Sequence, residues 1–306
     1  MIRAAKVFAP GSIGNVGPGF DVLGLAIIGL GVTVSVEPDG EGPRIAEVTG
    51  RDARELPKDV DRNAAALAAI LLYDKAGVKP FFRLSMENGL PFSGGLGGSA
   101  TAAVAGAAAA LLSLGRDLDP KPIMRCALEA EEMLSGRHMD NIAAALYGGL
   151  TLTRDIESLD VVKLPVVAPW HIALMTPKVR VATKRARSIL PETWARSLWT
   201  KQMAQTAALV HAFGSGDEKL LGRALEDGFA EPLRAGLIPN FKEIKQAALD
   251  AGAYGCSISG SGPTMFAITG DAVTARLVVA AMGKAAGGEA SLVHECAIGE
   301  KGLRPL

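Results

Sequence analysis

The sequence predicts an α+β protein built from two domains. Strand-like and helix-like segments follow one another along its 306 residues without the strict strand–helix alternation of a parallel α/β fold. The chain is also longer than a typical single domain, and the pattern of elements starts again after Pro165. We therefore predict one domain over residues 1–165 and a second over residues 166–306.

The first half of the chain combines short apolar strand patterns with alanine-rich helix patterns. In chain order, the predicted strands are AAKVFAPGS, VTVSVEP, FFRLSMEN, GGLTLTRD and VVKLPV. The predicted helices are RNAAALAAILLYDKAG, the alanine-rich run after Ser99, and PIMRCALEAEEMLSG. The first and third of these helices end at Gly77 and Gly136, because glycine commonly follows the last turn of a helix.

The second half begins with a strand, HIALMTP, followed by the basic stretch Lys178–Arg187. The helices SLWTKQMAQTAALVHAFGSG and NFKEIKQAALDAG come next, then the strands GCSISGS and PTMFAIT and the helix AVTARLVVAAMGKAAG. The basic stretch is read as a solvated face, as a nucleic-acid patch or as a substrate-binding segment.

Charge and cysteine content favour a cytoplasmic protein that acts on small molecules. The 32 basic and 32 acidic residues cancel, so no overall field favours nucleic acid or an anionic membrane. Cys126, Cys256 and Cys296 have no metal-binding or disulfide spacing. The first residues do not resemble a signal peptide, and the alanine-rich run is predicted to be a buried helix rather than a membrane span.

A dense glycine cluster precedes the alanine-rich helix, with four glycines in the five positions Gly94–Gly98. The cluster fits the loose dinucleotide fingerprint G-x-G-x-x-A, but it lacks the strand directly before it and the acidic residue after it. The sequence contains no Walker motif. Two interpretations stay open: a tight packing turn, or a phosphate cradle made of main-chain N–H groups at a helix N-terminus.

Residues 9–27 and 255–268 are also rich in glycine and serine. With the glycine cluster they stand in the order and at the distances of three motifs of the GHMP small-molecule kinase superfamily, which the chain resembles over essentially its whole length. Within that superfamily it is similar to the homoserine kinases. The resemblance is carried by Asn15 and Phe20–Gly24, Pro91–Thr101, SGRHMDNIAAALYGG, VATKRARSILP, FAEPLRAGLIPNF and SGSGPTMFA.

The resemblance implies a two-domain fold with the active site between the domains. The first domain would have a ribosomal-protein-S5-like core, and the second would be ferredoxin-like. It also implies transfer of a phosphoryl group from ATP to L-homoserine, with Mg²⁺ as the metal and a homodimer as the assembly. Phosphoryl transfer depends mainly on positioning and charge stabilisation, so the site needs phosphate donors, a metal site and substrate clamps.

For ATP and the metal, the resemblance implies a binding loop, a base-binding asparagine and two ligands. Ser99 and Glu131 would hold Mg²⁺, although a single Glu in LEAEEML is by itself expected to be a surface residue. The family's usual pair of serines reads Gly98-Ser99 here, which removes one hydroxyl and keeps the N–H. The implied ATP-binding residues are Asn63, Pro91, Phe92, Ser93, Gly94, Gly95, Leu96, Gly97, Gly98, Ser99, Ala100 and Thr101.

For the acceptor, the segment RHMDN is predicted to form a turn. Asn141, Asp140 and Glu131 are the implied catalytic residues, and whether Asp140 is a general base or orients its neighbours stays open. A carboxylate suits the ammonium of an amino acid, and arginine suits its carboxylate. The implied substrate-binding residues are Asn15, Asp21, His138, Thr183, Arg187, Arg234 and Gly260.

Two alternatives remain at this stage. A sister kinase for mevalonate, shikimate or a sugar would not need Asp21 beside paired arginines. A non-catalytic ATP-binding protein would be expected to lose Glu131 or Ser99, and both are present.

Overall fold

The computed structural model describes residues 2–287 and 290–306. The strands are β1 (Ala5–Gly14), β2 (Leu23–Pro38), β3 (Arg44–Gly50), β4 (Phe82–Asn88), β5 (Leu150–Asp155), β6 (Asp160–Leu164), β7 (His171–Pro177), β8 (Gly255–Ile258), β9 (Met265–Thr269), β10 (Ala290–Ala297) and β11 (Arg304–Pro305). The helices are α1 (Ala64–Lys75), α2 (Gly98–Ser113), α3 (Pro120–Leu134), α4 (Asp140–Tyr147), α5 (Thr183–Ser188), α6 (Arg196–Ser215), α7 (Glu218–Ala224), α8 (Glu231–Arg234), α9 (Phe241–Asp250) and α10 (Ala272–Ala285).

The first sheet is built around the long strand β2. Its strand order is β11-β1-β2-β4-β3, and β5 pairs with the start of β2 and then with β6. All pairs are antiparallel except β3 with β4. Helix α2 packs against β1 and β2, and α1 and α3 pack against α2. The helix that carries the glycine-rich loop is therefore held in the middle of the domain.

Small residues let α1 and α2 approach closely. A Cβ atom on Gly106 would lie 2.0 Å from the carbonyl oxygen of Ala65. All alanines of both helices are buried, as predicted for the alanine-rich run. Among the residues the structure describes, no helix has the length and apolarity that a membrane span requires.

The second sheet has the antiparallel order β10-β7-β9-β8. One face packs against α9 and α10 through residues such as Met265 and Val278. The opposite face, with Ile172 and Phe266, joins the core of the first sheet. The two sheets therefore share one continuous apolar region, and the cleft above it is fixed by both.

The boundary near residue 165 stays a prediction. Strands from β7 onward build the second sheet, but β11 returns to pair with β1 in the first sheet. Gly299 N–H also donates to Ala26 O at 2.8 Å, and Leu303 N–H to Ala145 O at 2.9 Å.

The structure corrects the predicted turn around RHMDN. Asp140 and Asn141 form the first turn of α4 instead, while His138 precedes that helix. Part of the basic stretch is likewise helical, as α5. Both helices are short and lack a side-chain cap, so the usual sequence signal for a helix start is missing.

Candidate active site

A cavity of about 480 Å³ opens where the glycine-rich loop, α3, α4 and the segment around α5 meet. All predicted site residues line it except Leu96 and Thr101. The side chain of Leu96 is buried in the core, and the hydroxyl of Thr101 donates to Pro10 O at 3.2 Å. These two residues support the loop from behind rather than face the cavity.

The glycine-rich loop is bound closely to the β8–β9 connection. A Cβ atom on Gly95 would lie 2.6 Å from the carbonyl oxygens of Ser259 and Gly262. Ser259 Oγ donates to Gly95 O at 2.7 Å, and Thr264 N–H donates to Gly94 O at 3.1 Å. Close approach of the second domain therefore requires a bare backbone at Gly95.

Gly97 is constrained by the other side of the site. Its φ is +67°, and a Cβ atom there would lie 2.4 Å from Ser12 Oγ and 2.7 Å from Asn141 Oδ1. Gly98, in contrast, has its nearest neighbour at 3.9 Å, the Cβ of Leu90. A side chain would fit at Gly98, so crowding does not explain why glycine replaces the family's usual serine here.

The N-terminus of α2 opens into the cavity. Its cap residue, Gly97, makes no side-chain cap bond, and Gly98, Ser99 and Ala100 line the cavity. The first N–H groups of a helix lack intrahelical partners and carry partial positive charge. This end of the cavity is therefore suited to an anion such as a phosphate.

A buried carboxylate lies beside this helix end. Glu131, on α3, is 2% exposed, and burial raises the pKa of its carboxyl group. One of its oxygens meets the Ser99 hydroxyl, and the other accepts from Ser135 Oγ at 2.8 Å. Ser99, Glu131 and Ser135 contribute only oxygen atoms. The hydrogen-bond partners of the Glu131 carboxyl group are neutral hydroxyls, so no cation among the described residues pairs with its charge.

The first turn of α4 presents a second carboxylate. Asp140 is buried, which raises its pKa, and its Oδ2 accepts from Asn15 N–H at 3.0 Å. The neighbouring Asn141 receives a hydrogen bond from Ser12 Oγ to its Oδ1 at 3.0 Å. Ser12 therefore fixes the Asn141 amide, leaving its NH₂ group directed toward Asp140 at 3.3 Å.

His138 is buried with unsatisfied polar atoms. Neither ring nitrogen has a hydrogen-bond partner among the described residues, and Nδ1 lies 3.8 Å from Asp140 Oδ1. Buried polar atoms are rarely left without partners. Since the ring lines the cavity, a polar ligand group is a fitting partner for it.

Asp21 and Arg187 form a bidentate ion pair across the cleft. Arg187 Nη1 and Nη2 each donate to one Asp21 oxygen at 2.8 Å. Asn15 Oδ1 accepts from Asp21 N–H at 3.1 Å, while Asn15 Nδ2 donates to Gly260 O at 3.1 Å. Asn15 thereby links the loop that carries Asp21 to the second domain.

Arg234 is buried next to this pair. Its Nη1 donates to Gly260 O at 2.8 Å and its Nε to Ala186 O at 3.2 Å. Burial, followed by the charge of Arg187, lowers the pKa of Arg234. A buried guanidinium held by backbone carbonyls retains its full charge, so an anion in the cavity would stabilise it.

Asn63 and Thr183 lie at the rim. Asn63 caps α1, since its Oδ1 accepts from Ala65 N–H and Ala66 N–H, and its Nδ2 donates to Pro57 O at 2.9 Å. The capping role follows from the sequence pattern, and the base-binding role stays a prediction. Thr183 begins α5 and faces the cavity.

Comparison with known proteins decides the family. The model of the GHMP kinases N terminal domain matches residues 63–149, and that of the GHMP kinases C terminal domain matches residues 209–288. The homoserine kinase of Chloroherpeton thalassium is 39% identical over 287 residues, which is 90% of each chain. The chain belongs to the homoserine kinase family.

Solved structures agree with membership of the homoserine kinase family. The crystal structure of homoserine kinase from Cytophaga hutchinsonii superposes with a TM-score of 0.93 at 38% identity, covering 100% of this chain and 98% of that one. L. major mevalonate kinase, at 18% identity, covers 96% of this chain and 95% of its own, with a TM-score of 0.74. It shares the fold. The predicted two-domain α+β GHMP kinase fold is thus confirmed.

Two contacts of this homoserine kinase family member could not be predicted from the sequence. Ser12 is fully buried under Asn141, and Phe20 lies against two arginines. Both stand in the first glycine-rich segment, where their neighbours Asn15 and Asp21 were singled out. Phe20 is among the residues that carry the resemblance, but the resemblance implied no role for it, because phenylalanine is ordinarily a packing residue. For Ser12 the nearby glycines were the available signal.

Proposed function

We propose that this protein is an ATP-dependent homoserine kinase. It transfers the γ-phosphoryl group of ATP to the hydroxyl of L-homoserine, giving ADP and O-phospho-L-homoserine on the way to threonine. The proposal is supported by the likeness to proteins named homoserine kinase over 90% of both chains and by the charges that line the cavity.

The carrying observation is the Asp21–Arg187 ion pair beside buried Arg234. A zwitterion brings an ammonium for Asp21 and a carboxylate for Arg187 and Arg234, so it replaces both halves of the pair with matching charges. A ligand with one charge would leave the other half without its partner, which is costly in a half-buried site. An α-amino acid is therefore the acceptor that the charges favour over mevalonate or a sugar.

ATP is proposed to place its phosphates at the N-terminus of α2. The first N–H groups of α2, next to Gly97 and Gly98, can approach phosphate oxygens without a side chain in the way. The oxygen-only set at Ser99 and Glu131 suits Mg²⁺, which prefers hard oxygen ligands and few protein groups. When bound there, the ion would neutralise charge on the phosphates.

Asp140 and Asn141 are proposed to hold the acceptor hydroxyl. Both stand at the N-terminus of α4, and the buried Asp140 can accept a hydrogen bond from the hydroxyl. Asn141, oriented by Ser12, can donate to the transferring group. A loose transition state for phosphoryl transfer gains most from such positioning, so this arrangement serves the reaction whether or not Asp140 removes the proton.

The test compares two acceptors in an ADP-release assay. Arg187→Met and Arg234→Met each remove a charge-assisted contact of about 1.5–3 kcal/mol. At about 1.4 kcal/mol per decade, we expect kcat/KM for L-homoserine to fall roughly tenfold to hundredfold. The KM for ATP should change little. For 3-amino-1-propanol, which is homoserine without its carboxylate, kcat/KM in either variant should stay close to the value of the parent enzyme.

Arg185→Met provides the matched control, because Arg185 is an exposed residue of the same short helix and should leave both acceptors unaffected. Equal losses for homoserine and the amino alcohol would show that the two arginines act on phosphate or on folding. In that case the assignment of an amino acid as acceptor would fail.

The proposal also places the enzyme in the cytoplasm as a homodimer that needs Mg²⁺. Light scattering on the purified protein decides the assembly, and a monomeric mass would overturn that part. Chelation of divalent ions should abolish turnover, and added Mg²⁺ should restore it.

A further inference from the structure

Phe20 lies at the centre of the proposed carboxylate site. The centroid of its ring is 5.5 Å from Arg187 Cζ and 5.4 Å from Arg234 Cζ. Both guanidinium groups are therefore over one aromatic ring, within the ~6 Å in which the negative face of a ring attracts a cation. A single apolar side chain contacts both cations.

The two arginines need such a contact because their charges repel each other. Asp21 offsets the charge of Arg187 through the bidentate pair. The hydrogen bonds of Arg234, in contrast, go to two backbone carbonyls, although its side chain is 3% exposed. The ring of Phe20 is thus a source of negative potential that reaches both guanidinium groups.

The ring is itself held from behind by two further aromatic side chains. Phe229 packs on it at an interplanar angle of 70° with centroids 4.7 Å apart, and Trp194 packs on Phe229 at 3.8 Å. We call Phe20, Phe229 and Trp194 the aromatic stack. Its members come from three segments: the β1–β2 connection, the residues before α8, and the α5–α6 connection. The stack therefore ties the segment that carries Arg187 to the other two.

We propose that Phe20 is a positioning residue that determines acceptor specificity. Its ring keeps Arg187 and Arg234 together at one side of the cavity, so that a single carboxylate can engage both. This inference rests on the proposed function, since it requires the two arginines to bind the acceptor carboxylate. The residue that this inference adds to the site has no polar atom with which to bind a substrate.

The first test replaces the ring and keeps apolar volume. In Phe20→Leu we expect kcat/KM for L-homoserine to fall about threefold to thirtyfold, the range of one or two cation–π contacts. The loss should appear in the KM for homoserine, with kcat and the KM for ATP nearly unchanged. Phe20→Tyr keeps the ring and should stay within about twofold of the parent.

A matched control removes a ring from the same stack without facing the arginines. Phe229→Leu should lower the melting temperature about as much as Phe20→Leu, yet with a smaller loss for homoserine. 3-Amino-1-propanol should lose little with either variant. If Phe20→Leu does not fold, Phe20→Met removes the same ring with a more adaptable side chain.

The outcomes separate the two proposals. If Arg187→Met and Arg234→Met keep the full kcat/KM for L-homoserine, the two arginines do not bind the acceptor carboxylate. The role of Phe20 is then overturned as well. If those variants lose activity with L-homoserine while Phe20→Leu does not, the arginines bind the carboxylate and the role of Phe20 is overturned. Equal losses for both acceptors in Phe20→Leu, or failure of Phe20→Tyr to restore activity, would also overturn it.

Discussion

At the scale of single residues, the cavity contains an ion pair and a buried carboxylate that has no cationic partner among the described residues. Asp21 and Arg187 neutralise each other through two hydrogen bonds of 2.8 Å. Glu131, in contrast, accepts hydrogen bonds from two hydroxyl groups, and burial raises the pKa of its carboxyl group. The ion pair is suited to choosing a substrate, and the carboxylate is suited to holding a cation.

The proposed metal site predicts the effect of Glu131→Gln. The amide keeps the size of the side chain and one of its two acceptor oxygens but removes the charge that would balance a divalent ion. Because metal stabilisation of the transferring phosphoryl group is worth several kcal/mol, we expect kcat to fall about a hundredfold or more. Calorimetric titration with an ATP analogue should show a far smaller loss of affinity.

Glu129→Gln is the matched control on the same helix. Glu129 is 42% exposed and pairs with Lys75 at 2.8 Å, so its loss should change kcat by less than about twofold, as for a surface ion pair. A near-normal kcat in Glu131→Gln, with a low kcat in Glu129→Gln, would move the metal ligand to Glu129.

The residue types of the site could be predicted from the sequence, but their pairing could not. Asp21 and Arg187 are separated by 166 positions, and no spacing rule brings them together. Ser12 was missed for the same reason, because its partner Asn141 is 129 positions away. A glycine-rich segment indicates close approach, without saying which residue approaches.

At the scale of elements, the N-termini of α2 and α4 meet at Gly97. This residue caps α2, and its Cα faces Asn141 in the first turn of α4. The proposed phosphate end and the proposed acceptor end of the site therefore meet at one glycine. Gly95 and Gly97 are tightly packed, as in a packing turn, while residues 98–100 line the cavity. The phosphate cradle therefore stays a prediction.

Replacing Gly97 tests this arrangement. Valine at φ +67° would be strained by about 1–2 kcal/mol, and its Cβ would displace Ser12 and Asn141. We expect Gly97→Val to weaken ATP binding by more than about tenfold and to lower kcat in the folded fraction. Equilibrium binding of an ATP analogue and melting temperature should be measured on one sample.

Gly77→Val isolates the cost of backbone strain. Gly77 has a φ of +70° and no atom within 4 Å of an added Cβ, and it follows α1 outside the cavity. We expect a loss of stability with unchanged ATP affinity. If Gly97→Val behaves in the same way, the loop is a packing turn and not a phosphate cradle.

Element prediction succeeded where a pattern was long or sharply bounded. The segment HIALMTP has the observed bounds of β7, because a short apolar run between Pro169 and Pro177 defines it. The first two residues of α4, Asp140 and Asn141, were predicted as part of a turn, since Met139 before them supplies no capping side chain. Contacts with β1, β2 and β5 hold α4 in place, and such contacts are invisible in a local pattern.

At the scale of the whole molecule, residues 298–306 cross from the second sheet to the first. Ile298 forms a bridge with Ile27, and β11 pairs with β1. Between them, Gly302 packs against the end of α4, where a Cβ atom would lie 2.2 Å from Leu146 O. The sequence did not predict this crossing, because a strand of two residues has no periodicity to detect.

Gly302→Val tests how much this crossing stabilises the protein. Overpacking against the backbone of α4 should lower the free energy of unfolding by about 1–3 kcal/mol, measured by urea denaturation. Gly40→Val is the control, since no atom lies within 4 Å of a Cβ there. Equal stability of the two variants would show that the crossing segment contributes little.

The crossing also sets an order of events during synthesis. The ribosome delivers β1, β2 and α4 long before it delivers residues 298–306, so the first sheet emerges with the outer edge of β1 unpaired. An open strand edge is a template for pairing with other chains. That edge, at Val7 and Phe8, stays open until β11 has been made, and a pause in translation between α4 and β11 would prolong the exposure.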